Sequence, residues 1–249
     1  MSDTVVISEG QGKTIYLDSG TIIKSFGPKA KKSEVLNAAM NMAMIEETGL
    51  HIPSVKEVRK VDDGWAVTYD YIAGRDLREI IDSEPEKEDE YLKMFVDIQS
   101  EIHSKTALKL PSVRDRLNTD IASADLDAVT RYELHARLDK LPRESQICHG
   151  DFIPENVILK DGNPPYILDW SHACKGNPDS DAAKTYISFK LQSRDETAEK
   201  YKKIYFEKNG TDENQFIRWI SVVAAAVSSR ETGERKEKLL KMIDIFQYD

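Results

Sequence analysis

Two hydrophobic rhythms divide the chain. Up to about residue 72 the apolar positions come in short β-prone runs, Thr4 to Ser8, Thr14 to Leu17, Thr21 to Phe26, Val55 to Val61 and Trp65 to Tyr71. Turn-forming stretches part them: Glu9-Gly10-Gln11-Gly12, Asp18-Ser19-Gly20 and Asp62-Asp63-Gly64. Together they predict a five-stranded antiparallel sheet. One helix interrupts it, Lys31 to Thr48, rich in Ala, Met and Leu and stopped by Gly49. Beyond residue 74 the period becomes helical. Arg75 to Ser83 reads as a short helix, and the acidic run Glu84 to Glu90 leads into a longer one, where acids suit the N-terminal end of the helix dipole. In that longer helix Tyr91, Met94, Phe95, Ile98 and Ile102 share one face, which reads as core, with His103 a polar edge residue at its end. Pro111 to Lys140 holds two helices divided near Ser123-Ala124-Asp125. Four more follow: Asp181 to Gln192, Asp195 to Glu207, Thr211 to Ser229 and Glu234 to Phe246.

One stretch departs from the helical rhythm. Val157 to Leu159 and Tyr166 to Leu168 are short apolar runs flanking Asp161-Gly162-Asn163-Pro164-Pro165, a turn-rich segment, and predict a hairpin. Asp151 and Asn156 precede its first strand and Asp169 follows its second, so antiparallel pairing is expected to draw three oxygen-bearing side chains together. That set suits phosphoryl transfer. Magnesium takes hard oxygen ligands alongside substrate phosphates, so one carboxylate and one amide oxygen suffice, while a second carboxylate can orient a hydroxyl and take its proton. Asp151 and Asn156 also keep the spacing of base and metal-binding Asn in the protein-kinase loop H-R-D-x-x-x-x-N, with Gly150 where that loop has Arg. The bland reading is turn chemistry and a satisfied amide.

Composition narrows the partners. The chain has 249 residues, 40% hydrophobic and 32% charged, as an ordinary globular protein has. Net charge is -9, with 8 basic against 10 acidic residues in 1–74 and 27 against 34 in 75–249. Such acidity argues against a nucleic-acid binder, and an acidic second part favours a cationic acceptor or simply a soluble surface. No apolar run approaches a membrane span and no signal-peptide pattern opens the chain, so a cytoplasmic protein with no membrane partner is expected. Cys148 and Cys174 flank the proposed site and read as buried thiols, with no zinc-type cluster.

The run His149-Gly150-Asp151-x-x-x-x-Asn156, then Ile167-Leu168-Asp169-Trp170 and Gly176-Asn177-Pro178-Asp179-Ser180-Asp181, resembles the aminoglycoside phosphotransferase and choline kinase family. The resemblance implies that Asp151 is the catalytic base, that Asn156 and Asp169 hold Mg2+, that His149 braces the loop and that Asp181 does so through backbone hydrogen bonds. It also implies a hinge at Tyr69 to Gly74, where backbone groups of Asp70, Tyr71 and Ile72 would meet adenine. Gly10 and Gly12 would let the backbone approach phosphates, and Lys24 on the third strand would neutralise them. Glu34 is the acid early in the first helix that would pair with Lys24, Ala38 standing one turn on.

The expected fold is α+β, protein-kinase-like and two-lobed. Residues 1–74 form a small N-lobe of antiparallel sheet plus helix, and residues 75–249 a larger, mainly helical C-lobe. The expected reaction is transfer of the γ-phosphoryl group of ATP to a hydroxyl of a small molecule, with cationic acceptors resembling an aminoglycoside, choline or an amino-alcohol as candidates beside sugars. Two rivals use the same residues. A catalytically silent nucleotide-binding module would leave the Asp151, Asn156 and Asp169 set without a purpose. A protein kinase would be expected to carry Arg before Asp151 and an Ala-Pro-Glu segment.

Overall fold

Alternation along β-prone runs puts every second side chain on one sheet face, and that places both the core and a buried lysine in the N-terminal sheet. The structure is a computed structural model and describes residues 4–10, 12–62, 64–107 and 109–243. It divides into two compact units, Met1–Ile80 with Pro154–His172, and Ile81–Ile153 with Ala173–Asp249.

The first unit carries the five-stranded sheet. Its strands are β1 (Val5–Gly10), β2 (Lys13–Asp18), β3 (Thr21–Phe26), β4 (Val55–Val61) and β5 (Gly64–Asp70), all antiparallel in the order β1-β2-β3-β5-β4. Helix α1 (Lys32–Glu46) covers one face, packing Val35 and Ala39 against Phe26 and Val67. Lys24 lies two positions from Phe26 and opposite Val67, so strand period directs it to the same face, where it is buried. A second, three-stranded sheet has β6 (Arg75–Asp76), β8 (Val157–Leu159) and β9 (Tyr166–Ile167) in the order β6-β8-β9. The hairpin expected from the turn-rich segment is thus β8 and β9, with Val157 opposite Ile167. Ile167 N–H donates to His51 C=O at 2.9 Å, and the His51 ring lies 3.6 Å from that of Tyr166. Gly74 meets this sheet at close range. A Cβ there would lie 2.4 Å from the carbonyl oxygen of Leu159, so no larger residue fits without displacing backbone.

Helix α2 (Leu77–Ser83) runs from the first unit into the second. The expected helix over Arg75 to Ser83 starts two residues late, because Arg75 and Asp76 pair with Leu159 and Ile158 as β6. Tertiary strand pairing overrode local helix propensity there.

The second unit is helical around a two-stranded ladder of β7 (Gln146–Cys148) and β10 (Cys174–Gly176). Its helices are α3 (Glu88–His103), α4 (Val113–Ser123), α5 (Ala128–Lys140), α6 (Pro178–Leu191), α7 (Asp195–Asn209), α8 (Glu213–Ser228) and α9 (Gly233–Leu240). Capping explains the starts: Ser112, Asp127, Asn177 and Asp212 each accept a backbone N–H from the first turn of the helix that follows. Helix α6 begins at Pro178 rather than Asp181, since Asn177 caps it and proline suits a first turn. Phe95 stacks on Phe152 with centroids 4.3 Å apart, and Phe189, Tyr201 and Phe216 continue the aromatic core. The buried stripe of α3 holds Phe95, Ile98 and Ile102 as expected and adds Leu92, Val96, Gln99 and His103, whereas Tyr91 and Met94, also expected there, are only half-buried. The last helix ends at Leu240, short of the expected end at Phe246: Lys241 to Ile243 have left the helix, and 244–246 lie outside the described residues, as do Gln11 and Asp63 of two expected turns.

Candidate active site

In the first unit the hairpin brings two of the expected ligands to one end. Leu168 N–H donates to Asn156 C=O at 2.8 Å, closing the ladder so that Asn156 and Asp169 leave it side by side. Asp169 has φ 55°, in the left-handed region that few non-glycine residues occupy. Its carboxylate meets Lys24, whose Nζ lies 3.0 Å from Oδ1 and 3.1 Å from Oδ2. Ser171 Oγ donates to Asp169 Oδ1 at 2.8 Å. Burial alone would raise the acid's pKa, but the Lys24 charge, the hydrogen bonds from Ser171 and Lys24, and the charge of Lys13 outweigh it and hold Asp169 well below the usual carboxylate range. Burial and the nearby Asp169 charge push the Tyr69 phenol up in turn.

Glu34 does not serve as the partner of Lys24. It turns back on its own helix, accepting the Lys31 N–H at 3.3 Å, while the ion pair of Lys24 goes to Asp169. Glu34 stands in the first turn of α1, where an acid caps the orphan N–H groups of the helix end. Gly10 pairs with Lys13, so β1 and β2 are joined by only two residues, and Gly12 C=O accepts the Gly27 N–H at 2.9 Å. At the expected hinge, Asp70 N–H donates to Ser54 C=O and Tyr71 N–H to Gly20 C=O, at 3.2 and 3.3 Å. Both N–H groups are therefore engaged within the protein. Ile72 is half-buried and follows the end of β5.

In the second unit the segment His149 to Phe152 follows β7 and is gripped by α6. Asp181 accepts the His149 N–H at 3.0 Å and the Gly150 N–H at 2.7 Å. Gly150 has φ 78°, which explains why a glycine stands between His149 and Asp151: a side chain there would strain the turn that offers two successive N–H groups to one carboxylate. Asp151 N–H donates to His149 Nδ1 at 3.2 Å, which puts the ring proton of neutral His149 on Nε2. His149 is fully buried. His103, placed by α3, bonds through Nε2 to Asp181 Oδ2 at 3.1 Å. Burial would raise the Asp181 acid, but hydrogen bonding and charge from His103, together with the Gly150 N–H, hold it below its ordinary value.

Asp151 lies 3.4 Å from Lys184 on α6. Asp179 plays a different part, accepting from Tyr205, Thr211 and Gln215 and so tying α6 to α7 and α8. Cys148 and Cys174 are buried free thiols directly opposite one another on β7 and β10. The neighbouring Cys174 thiol, with burial, pushes the Cys148 thiol up.

The donor set of the first unit fits magnesium. One ionised carboxylate and one amide oxygen, Asp169 and Asn156, leave the remaining positions of an octahedral ion to phosphates and water. Among the described residues no group of three or more His, Cys, Asp or Glu gathers as a closed metal site, and Mg2+ needs none.

Ser171 and Lys184 were not singled out from sequence, and His103, read there as a polar edge residue, is buried against Asp181 instead. His103 had a signal: it falls four residues after Gln99 and eight after Phe95, on the buried side of α3. Lys184 lies three residues after Asp181, so the two face one way on α6.

The family model described as "Phosphotransferase enzyme family" (APH) matches residues 5–217. No curated protein sequence matches the chain. Among solved structures, a thermostable mutant of aminoglycoside phosphotransferase APH(4)-Ia is similar, at 16% identity and TM-score 0.72 over 97% of this chain and 94% of that one. A choline/ethanolamine kinase family protein from Mesorhizobium loti is similar at 14% identity and TM-score 0.62, over 96% and 85%. LicA in complex with AMP is similar at 14% identity and TM-score 0.64, over 97% and 92%. At these identities the likeness to solved structures concerns the fold, α+β and kinase-like. Among the described residues no helix is long and apolar enough to cross a membrane. With the family match running from β1 into α8, the chain belongs to the phosphotransferase enzyme family.

Proposed function

We propose that this protein transfers the γ-phosphoryl group of ATP to a hydroxyl group of a small molecule. The observation that carries the reading is the Lys24–Asp169 ion pair, an ammonium 3.0 Å from a carboxylate held ionised at the end of a hairpin. A magnesium-bound triphosphate needs this combination, a cation for phosphate oxygens and a hard oxygen ligand for the metal. Asp169 and Asn156 would hold Mg2+, which supplies positive charge to the phosphates when bound. Lys24 neutralises phosphate charge, and the backbone at Gly10 and Gly12 covers it. Backbone groups around Asp70, Tyr71 and Ile72 meet the adenine edge, with the carbonyl oxygens and the Ile72 N–H as candidate partners. Residues 1–74 thus serve the nucleotide, and residues 75–249 carry the catalytic loop, the metal ligands and the acceptor site.

Asp151 orients the acceptor hydroxyl and takes its proton as the oxygen attacks the γ-phosphorus. His149 braces it by accepting the Asp151 N–H. Family membership supports the reaction type, and similar structures bound to ADP with hygromycin B, or to AMP-PNP with hygromycin B, support a nucleotide donor and a small-molecule acceptor. The net charge of -9 favours a cationic acceptor.

The test is magnesium-dependent ATP consumption by wild type and Asp169→Ala against aminoglycosides, choline-like amines, amino-alcohols and sugars, with nucleotide binding measured in parallel. Acceptor-stimulated turnover that disappears in the variant is expected. Absence of magnesium-nucleotide binding in the wild type would overturn the reading.

A further inference from the structure

Three side chains on one face of α6 hold the segment from His149 to Phe152. Asp181, Lys184 and Thr185 stand at positions i, i+3 and i+4, the spacing that aligns side chains on a helix face. Asp181 accepts the N–H groups of His149 and Gly150, and Thr185 donates to the Phe152 C=O at 2.8 Å. Both are buried, and these bonds go to backbone atoms of the segment. Lys184 is different. Its Nζ donates to the Gly150 C=O and also lies 3.4 Å from Asp151 Oδ1, a side-chain oxygen. The lysine side chain is 29% exposed and that of Asp151 35%, so the pair sits at the edge of solvent where a ligand can reach it.

A backbone carbonyl can be held by a neutral donor, as Thr185 holds Phe152. A cation at Gly150 therefore does more than close the turn. Partly exposed ion pairs also contribute little to stability, so the fold does not require this charge. What it does require is an explanation at Asp151.

We propose that Lys184 is a positioning residue for phosphoryl transfer, holding the Asp151 carboxylate in one orientation and keeping a fixed positive charge beside the reacting oxygen. The inference rests on the phosphotransferase reading given above. In the step it serves, the acceptor oxygen forms a bond to the γ-phosphorus while the bond from that phosphorus to the β–γ bridging oxygen breaks. The departing ADP keeps the bonding electron pair, and the hydroxyl proton passes to Asp151. Lys184, tied to both Gly150 and Asp151, steadies the group that receives the proton and counters negative charge gathered around the transferring phosphoryl.

The experiment compares full-length wild type with Lys184→Met, Lys184→Gln and Lys184→Arg, recording kcat and KM for MgATP with an aminoglycoside, choline, an amino-alcohol or a sugar as acceptor, and with water as acceptor. Gln keeps a donor for the Gly150 C=O but removes the charge, whereas Arg keeps the charge. Met and Gln are expected to lower kcat on the order of 10- to 100-fold, leaving KM for MgATP and the thermal midpoint near wild type, with Arg restoring most of the loss. Wild-type kcat in Lys184→Gln, or equal loss in all three variants, would overturn the role of Lys184 while leaving the phosphotransferase reading in place. A wild type that binds MgATP but transfers phosphate to neither acceptor nor water would overturn that reading, and the role of Lys184 with it.

Discussion

Lys24 and Asp169 stand 145 positions apart in the chain and meet as a two-oxygen ion pair, Nζ lying 3.0 and 3.1 Å from the carboxylate oxygens. β3 supplies the ammonium and the end of the β8–β9 hairpin the carboxylate, so the pair exists only when both sheets of the first unit are formed. Replacing Lys24 by Met removes a charged donor and should weaken MgATP binding about 10- to 100-fold, as loss of one charge-assisted bond does. Calorimetric titration of variant and wild type checks this. Unchanged affinity would remove Lys24 from the nucleotide site.

Asp151→Ala should abolish turnover while MgATP affinity stays within about threefold of wild type, since the proposed base faces the acceptor and not the nucleotide. Single-turnover kinetics beside a binding isotherm separate the two effects. An active variant would end the assignment of Asp151 as base.

Gly150→Ala should destabilise the protein by about 1–2 kcal/mol, because alanine is strained at the φ of 78° that Gly150 adopts. It should also lower kcat by displacing Asp151. A denaturant melt read with the rate constant tests both, and a variant as stable as wild type would contradict the left-handed turn.

The fully buried Asp181 carboxyl is held below its ordinary value, so its folded pKa lies under its unfolded pKa of about 3.9. The stability it contributes is therefore complete above about pH 4 and is lost as pH falls through and below that value. Asp181→Asn should cost about 3 kcal/mol at pH 7, since it leaves His103 and two N–H groups without their ionised acceptor. Its thermal midpoint should also fall less steeply than that of wild type on acidification below pH 4. Parallel slopes in the two proteins would show that Asp181 is not the group responsible.

Much of the site was legible because its parts lie close in the chain and carry distinct chemistry. Asp151, Asn156 and Asp169 fall within nineteen consecutive residues that include a strong turn signal, and the hairpin they imply is present as β8 and β9. The five N-terminal strands were legible from period and turn residues, with β4 over Val55–Val61 as expected. Less legible was the start of α2, where Arg75 and Asp76, just before the helix, became β6 through pairing with β8. β10 was missed because three residues, Cys174 to Gly176, are too few to display a period.

By itself the sequence determined which groups were available: a glycine where a left-handed turn is needed, oxygen ligands spaced around a hairpin, a lysine on a strand and an acidic excess overall. These are properties of local chemistry and short-range geometry, and they travel with the chain. Only the tertiary structure decided who pairs with whom. Glu34 was the nearer acid by sequence, yet it caps its own helix, and the partner of Lys24 is Asp169. His103 and Lys184 looked like ordinary polar positions until α3 and α6 packed, one setting His103 against Asp181 and the other setting Lys184 beside Asp151. The reason is physical: an ion pair or buried hydrogen bond is selected by distance and desolvation, which packing fixes and no local pattern encodes.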